Sequence, residues 1–177
     1  MNTKVSPKVT VYIVSHNYGK FLKNAIDSVV NQTFLDWELI IVDDCSSDNT
    51  IDIAKKYINE KSTKITLIKN KENKGLQKIA NEVASIASGK YILRLDADDY
   101  LHLDALKKLY KKSESNIDAS LVYSNFYYID EIGNVIGQEN RNNRVSDGEI
   151  SDLIAPHGAC SLIPLSLLNS VGGYNED

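Results

Sequence analysis

The sequence predicts an α/β fold: a doubly wound, mostly parallel sheet with helices on both faces, plus a small hairpin after residue 117. Three observations carry that expectation. Short β-branched runs alternate with stretches whose apolar residues recur every three or four positions. The first run, Val9-Thr10-Val11-Tyr12-Ile13-Val14, is almost continuously apolar, as a strand covered on both faces should be. Polar, carboxylate-rich segments follow the runs at their C-terminal ends, where such a sheet binds ligands.

The elements follow in order. After strand one comes the polar loop Ser15-His16-Asn17-Tyr18-Gly19, then a helix through Phe21, Leu22, Ala25, Ile26, Val29 and Val30. Residues 37–42 form strand two and run into Asp43-Asp44-Cys45-Ser46-Ser47-Asp48-Asn49-Thr50, rich in helix-capping types. Ile51, Ala54, Tyr57 and Ile58 mark the second helix, and residues 65–68 the third strand. A polar loop over 70–75 leads to a third helix through Ile79, Ala80, Val83, Ile86 and Ala87, expected to stop near Gly89. Strand four, residues 91–95, delivers Asp96, Asp98 and Asp99. Leu103, Leu106, Leu109 and Tyr110 give a fourth helix.

Beyond residue 117 the pattern changes. Residues 119–129 read as one long aromatic-rich strand, more often core than sugar platform, and Gly133-Asn134 turns it back into Val135-Ile136. Residues 138–151, with Arg141 and Arg144, read as a loop. Residues 157–163 are expected as a strand, Pro164 opens a short helix through Leu168, and Gly172-Gly173 ends it.

Composition narrows the function. The 177 residues suit one domain with a proper core. A net charge of −4 with scattered lysines gives no nucleic-acid footprint. No apolar run approaches the roughly 20 residues of a membrane span, and the N-terminus has no signal-peptide h-region. Cys45 and Cys160 lack metal-type spacing and read as reduced thiols, so the expected compartment is the cytoplasm, with peripheral association at the inner membrane face left open.

In the expected sheet, Ser15-His16-Asn17, Asp43-Asp44 and Asp96-Ala97-Asp98-Asp99 gather on one edge. An Asp-x-Asp pair fixed at a strand end can hold Mg²⁺ or Mn²⁺ through oxygen ligands, and that cation can hold a diphosphate. The competing reading makes Asp98 or Asp99 the N-cap of the following helix. A carboxylate can also accept from a uracil-type N–H or a ribose hydroxyl. Together the clusters point to a nucleoside diphosphate linked to a second group. Other readings stay open: Asp43-Asp44 as the start of helix two, His16 as a loop histidine without a ligand, His157 as a structural residue. His102 is expected on the surface of helix four. Acidic neighbours disfavour a Cys45 thiolate.

Several segments carry a resemblance: Val-Ser-His-Asn-Tyr (14–18), Gln-Thr-Phe-Leu-Asp-Trp-Glu-Leu-Ile-Ile-Val-Asp-Asp-Cys-Ser-Ser-Asp-Asn-Thr (32–50), Asn-Lys-Gly (73–75), Gly-Lys-Tyr-Ile-Leu-Arg-Leu-Asp-Ala-Asp-Asp (89–99) and Val-Gly-Gly-Tyr-Asn-Glu (171–176). In this order they resemble family 2 glycosyltransferases of the GT-A fold. The resemblance implies a nucleotide-sugar donor, usually UDP-linked, a divalent cation, and inverting transfer to a carbohydrate or lipid-linked acceptor. By position it implies that Ser15, His16 and Asn17 line the base pocket and that Asp44 contacts the base. Asp96 would face the ribose or metal, Asp98 would be the main cation ligand, and Lys74 and Gly75 would lie near the base or phosphates. It also divides the single domain into a nucleotide-binding half, 1–116, and the start of an acceptor-side half, 117–177.

Two departures stand out. The family often has an arginine before the helix-three asparagine, where this chain has Ala80 before Asn81; Lys78 is the candidate replacement charge. Inverting transfer needs a general base, in the family a carboxylate in a Glu-Asp-type motif past the Gly-Gly-aromatic segment. Glu176 and Asp177 stand too close to Gly173 to match, so the chain is expected to lack its base. The competing readings are a catalytically incomplete sugar-nucleotide-binding module and a nucleotidyltransferase. A phosphoacceptor domain is disfavoured because the paired aspartates end strand two instead of strand one. A dinucleotide oxidoreductase is disfavoured because no Gly-x-Gly-x-x-Gly follows a strand.

Overall fold

A computed structural model describes residues 6–61, 64–115, 121–140 and 159–176. In chain order the elements are β1 (Val9–Ser15), α1 (Gly19–Val30), β2 (Trp37–Asp43), α2 (Thr50–Lys61), β3 (Ile65–Lys69), α3 (Leu76–Ile86), β4 (Tyr91–Asp96) and α4 (Ala105–Ser115). There follow β5 (Val122–Tyr123), β6 (Phe126–Ile129), β7 (Val135–Glu139), β8 (Ser161–Pro164) and α5 (Leu165–Ser170). Six strands form one sheet in the order β3-β2-β1-β4-β8-β5. Its first four strands are parallel, and β8 runs antiparallel to both its neighbours. β6 and β7 pair with each other as a separate antiparallel hairpin.

Strand alternation explains why both faces are covered. Val9, Val11 and Ile13 of β1 point with Leu39, Ile41, Leu93 and Leu95 toward Leu22, Ile26 and Val29 of α1, Ala54 of α2 and Leu106 of α4. Tyr12 points the other way, joining Ile40, Val42 and Ile92 against Ile79, Ala80 and Val83 of α3 and Leu168 of α5. The chain winds outward from β1 to β3, then returns through α3 on the opposite face to place β4 on the other side of β1. That reversal makes β1 and β4 the switch point, whose C-terminal edge forms the crevice of a doubly wound sheet.

Several expectations change. The aromatic run 119–129 is not one strand: β5 pairs with β8 in the main sheet, and after Ser124 and Asn125 the chain leaves to pair with β7. Gln138 lies in β7, outside the expected loop. Leu103 is 53% exposed and precedes α4, while the buried Leu101 fills the adjoining core. His102 sits in the turn ahead of α4, its carbonyl accepting from Ala105 N–H and from Gln32 Nε2. Helix α3 stops at Ile86 with Ala87 in an extended conformation, so Gly89 is not its cap. Gly89 is needed because a Cβ there would lie 2.5 Å from the Thr10 nitrogen. Pro164 closes β8 and stands at the N-cap of α5. Readings that involve Arg141, Arg144, His157 or Asp177 lie outside the described residues.

Among the described residues no helix is long and apolar enough to cross a membrane, and both cysteines are free thiols.

Candidate functional site

Register places the three polar clusters on one edge. Ser15 ends β1 opposite Asp43 of β2, and Val14 lies opposite Asp96 of β4. The loops after β1 and β2 are laced together there. Asn17, held at a positive φ of 62°, donates its N–H to Ser46 Oγ at 3.0 Å. Its Oδ1 accepts from Ser47 N–H at 2.8 Å and from Ser47 Oγ at 3.1 Å. His16 is exposed, with Nδ1 2.7 Å from the Asp44 carbonyl and Nε2 3.2 Å from Asn17 Nδ2. Since the carbonyl can only accept, Nδ1 carries the proton and Nε2 accepts from the Asn17 amide. This bracket fixes the ring at the mouth of the edge.

The serine and aspartates behind it are interior. Ser15 is buried, its hydroxyl 3.5 Å from Thr50 Oγ1. Asp43 accepts Ser46 N–H at 3.2 Å with Oδ1, while its buried Oδ2 has no partner among the described residues. Asp44, 2% exposed, accepts from Asn70 Nδ2 at 2.8 Å, from Lys74 N–H at 3.0 and 3.1 Å, and from Gly75 N–H at 3.2 Å. Its negative charge therefore sits just ahead of α3, where the helix dipole favours it. Gly75 holds a φ of 79° that suits glycine. The Lys74 ammonium is paired with Glu82 at 2.7 Å.

Asp48 joins the α1 and α2 starts: it accepts Gly19 N–H at 2.8 Å with one oxygen, and Thr50 N–H at 3.0 Å and Thr50 Oγ1 at 2.6 Å with the other. Desolvation works to raise its pKa, but hydrogen bonds from Thr50 and Gly19 outweigh it and hold the carboxyl below its ordinary value.

At the end of β4, Arg94 and Asp96 share one face. Arg94 Nε lies 2.9 Å from Asp96 Oδ1, and Nη2 donates to Oδ2 at 3.3 Å. The Nε contact is one of charge, its N–H pointing off the oxygen. Tyr12 is directly across from Arg94. Burial, above all, pushes its hydroxyl pKa up, with Tyr174 and Asp96 adding to the shift and Arg94 opposing it. Ala97 is buried and turns Asp98 outward; Asp99 N–H closes the turn onto the Asp96 carbonyl at 3.1 Å.

That geometry removes the helix-cap reading of Asp98 and Asp99, because α4 starts only at Ala105. Among the described residues nothing hydrogen-bonds the exposed Asp98 carboxylate, and no three His, Cys, Asp or Glu side chains converge as a ready-made metal cage. Two carboxylates at a strand end still fit Mg²⁺ or Mn²⁺, which take few protein oxygens and complete their shell with phosphate oxygens and water.

Arg94, Asn81 and Tyr174 are site-side residues for which sequence reasoning gave no role. Arg94 did leave a signal, as the lone charge inside a buried strand, two residues from Asp96 and so on the same face. The Asn81–Tyr174 contact spans 93 positions and left none.

The sequence matches Glycosyl transferase family 2 over residues 10–165. It is 40% identical over 132 residues to an uncharacterized glycosyltransferase of Methanocaldococcus jannaschii, covering 73% of this chain and 45% of that protein. The fold is similar to S. aureus TarS in complex with UDP, with TM-score 0.78 and 22% identity over 96% of this chain and 50% of that one. It is likewise similar to a Pyrobaculum calidifontis mannosyltransferase in complex with GDP-Man and Mn²⁺, with TM-score 0.75 and 19% identity over 98% of this chain and 49% of that one. The chain thus spans about half the length of these proteins. With the parallel sheet, its switch-point crevice and the motif order, these likenesses make the fold GT-A, and the chain belongs to glycosyltransferase family 2.

Proposed function

We propose that this edge binds a nucleoside-diphosphate sugar, most favourably a UDP-sugar, with a divalent cation, for inverting transfer of the sugar to an acceptor hydroxyl. The observation that carries the reading is the convergence of the His16–Asn17 bracket, the Asp44-anchored loop and the Asp96–Asp98 turn at the β1/β4 switch point. His16 offers a fixed ring face for a pyrimidine, and Ser15 and Asn17 set the backbone behind it. Asp44 belongs to the base side, where it holds the Lys74–Gly75 main chain as part of the wall. Asp96, oriented by Arg94, serves the ribose and the cation, and Asp98 is the main cation ligand. When bound, the cation neutralises the diphosphate and improves it as a leaving group.

The division into a donor half, 1–116, and an acceptor-side start, from 117, belongs to the same proposal. So do a carbohydrate or lipid-linked acceptor and a cytoplasmic setting at or near the inner membrane face, the last resting on two free thiols. No general base is assigned. Titration calorimetry with UDP, GDP, CDP and dTDP, with and without Mn²⁺, tests the reading. UDP should bind tightest, and more tightly with the cation than without it; absent binding, or binding that Mn²⁺ does not strengthen, would overturn it.

A further inference from the structure

Asn81 spends both ends of its amide on one residue. Nδ2 donates to the Tyr174 carbonyl at 2.9 Å, and Oδ1 accepts the Tyr174 N–H at 2.8 Å. This is the pairing a neighbouring strand would make, supplied by one side chain of α3. Nδ2 also donates to Glu176 Oε1 at 2.7 Å. The approach depends on Gly173, whose φ is 86° and whose added Cβ would lie 2.4 Å from Asn81 Oδ1.

So clamped, Tyr174 packs against the core layer that contains Tyr12, Ile79 and Leu168, close enough to the Tyr12 hydroxyl to help push its pKa up. Tyr12 in turn faces Arg94 across the β1–β4 register, and Arg94 holds Asp96. An arginine fork has a long stem with many rotamers; it stays on one carboxylate only where its surroundings leave no alternative. Here Tyr12 stands across the register from Arg94, Tyr174 packs on the layer that contains Tyr12, and the Arg94 side chain is only 17% exposed.

We propose that Asn81 is a positioning residue for Asp96, acting through Tyr174, Tyr12 and Arg94. The inference rests on the reading of Asp96 as a donor-site carboxylate. Without the clamp, Tyr174 loses its main-chain anchor, water reaches the Arg94 fork, and Asp96 regains rotamer freedom at the site where the cation and ribose need it fixed.

The test is calorimetric titration of UDP, with and without Mn²⁺, into the unmodified chain, Asn81→Ala, Tyr174→Phe, Asp96→Asn, and each of the first two variants combined with Asp96→Asn. Asn81→Ala should weaken the Mn²⁺-dependent binding about 10-fold, as loss of a partner that orients a metal ligand does, and leave metal-free binding unchanged. Tyr174→Phe should weaken the same arm by a smaller factor. Both losses should vanish in the Asp96→Asn background. Equal losses with and without Mn²⁺, or losses that persist in that background, would overturn the proposal. If Asn81→Ala does not fold, Tyr174→Phe with and without Asp96→Asn carries the same comparison. If the unmodified chain shows no Mn²⁺-dependent binding, the donor-site reading and this inference fall together. If it binds and the variants match it, this inference alone falls.

Discussion

Asp44 accepts the Lys74 N–H with both carboxylate oxygens, at 3.0 and 3.1 Å, so that one strand-end side chain fixes the loop that opens α3. Replacing Asp44 by Ala strands the Asn70 amide and two backbone N–H groups. Hydrogen bonds to a charged group contribute about 1.5–3 kcal/mol each, and the loop relaxes toward water to recover part of that. Asp44→Ala should therefore cost about 3 kcal/mol in urea unfolding and weaken UDP binding. A change below about 0.5 kcal/mol, the ordinary surface range, would mean the loop is held by other contacts.

Asp98 and Asp96 should respond differently. Asp98 is exposed and unengaged among the described residues, so Asp98→Ala should leave the unfolding midpoint unchanged and abolish the Mn²⁺-dependent part of UDP binding. Asp96→Ala deprives a largely covered guanidinium of its partner. It should weaken the same binding without abolishing it, Asp98 being the main cation ligand, and cost about 1–2 kcal/mol of stability as well. Denaturation and calorimetry on the two variants separate a ligand role from a structural one.

Gly172 and Gly173 form a matched pair. Both hold positive φ, 85° and 86°, yet an added Cβ meets nothing within 4 Å at Gly172 and lies 2.4 Å from Asn81 Oδ1 at Gly173. Gly172→Ala should cost about 1 kcal/mol, from the left-handed backbone alone. Gly173→Ala adds a clash that the Asn81 clamp cannot absorb, and should cost about 3 kcal/mol or displace the segment. Equal thermal shifts for the two would contradict the docking of Tyr174 on α3.

Asp48 gives a pH signature. Its folded-state pKa lies below the ordinary aspartate value, because hydrogen bonds from Thr50 and Gly19 outweigh the opposing desolvation. A depressed carboxyl contributes stability that is fully present above the unfolded pKa and is lost as pH falls through the folded pKa. Asp48→Asn should therefore lower the urea midpoint at pH 6, and the difference from the unmodified chain should shrink as the pH falls below the ordinary aspartate range. A constant difference across that range would remove Asp48 from the acid transition.

The alternation of strands and helices was legible because its signals are local. A β-branched run such as residues 9–14, or apolar spacing such as Leu22, Ile26 and Val29, reports burial directly. The shared edge followed from strand direction alone. The roles within it were less legible. Side-chain bonds to backbone N–H groups, such as Asp44 to Lys74 and Gly75, carry no signature in residue type. The aromatic run 119–129 showed no break, because Ser124 and Asn125 are compatible with a strand until β8 and β7 compete for its two halves.

The sheet ends on β3 and β5, which carry the risk of recruiting a foreign strand. Neither is an inviting template. β5 has two residues, too short a ladder for an incoming chain to grip. β3 has five, flanked by Lys64 and ended by Lys69, both exposed, so a second copy arriving in register would bring like charges together. The same strand order that places the polar clusters on one side thus leaves the main sheet, among the described residues, poorly suited to edge-to-edge aggregation.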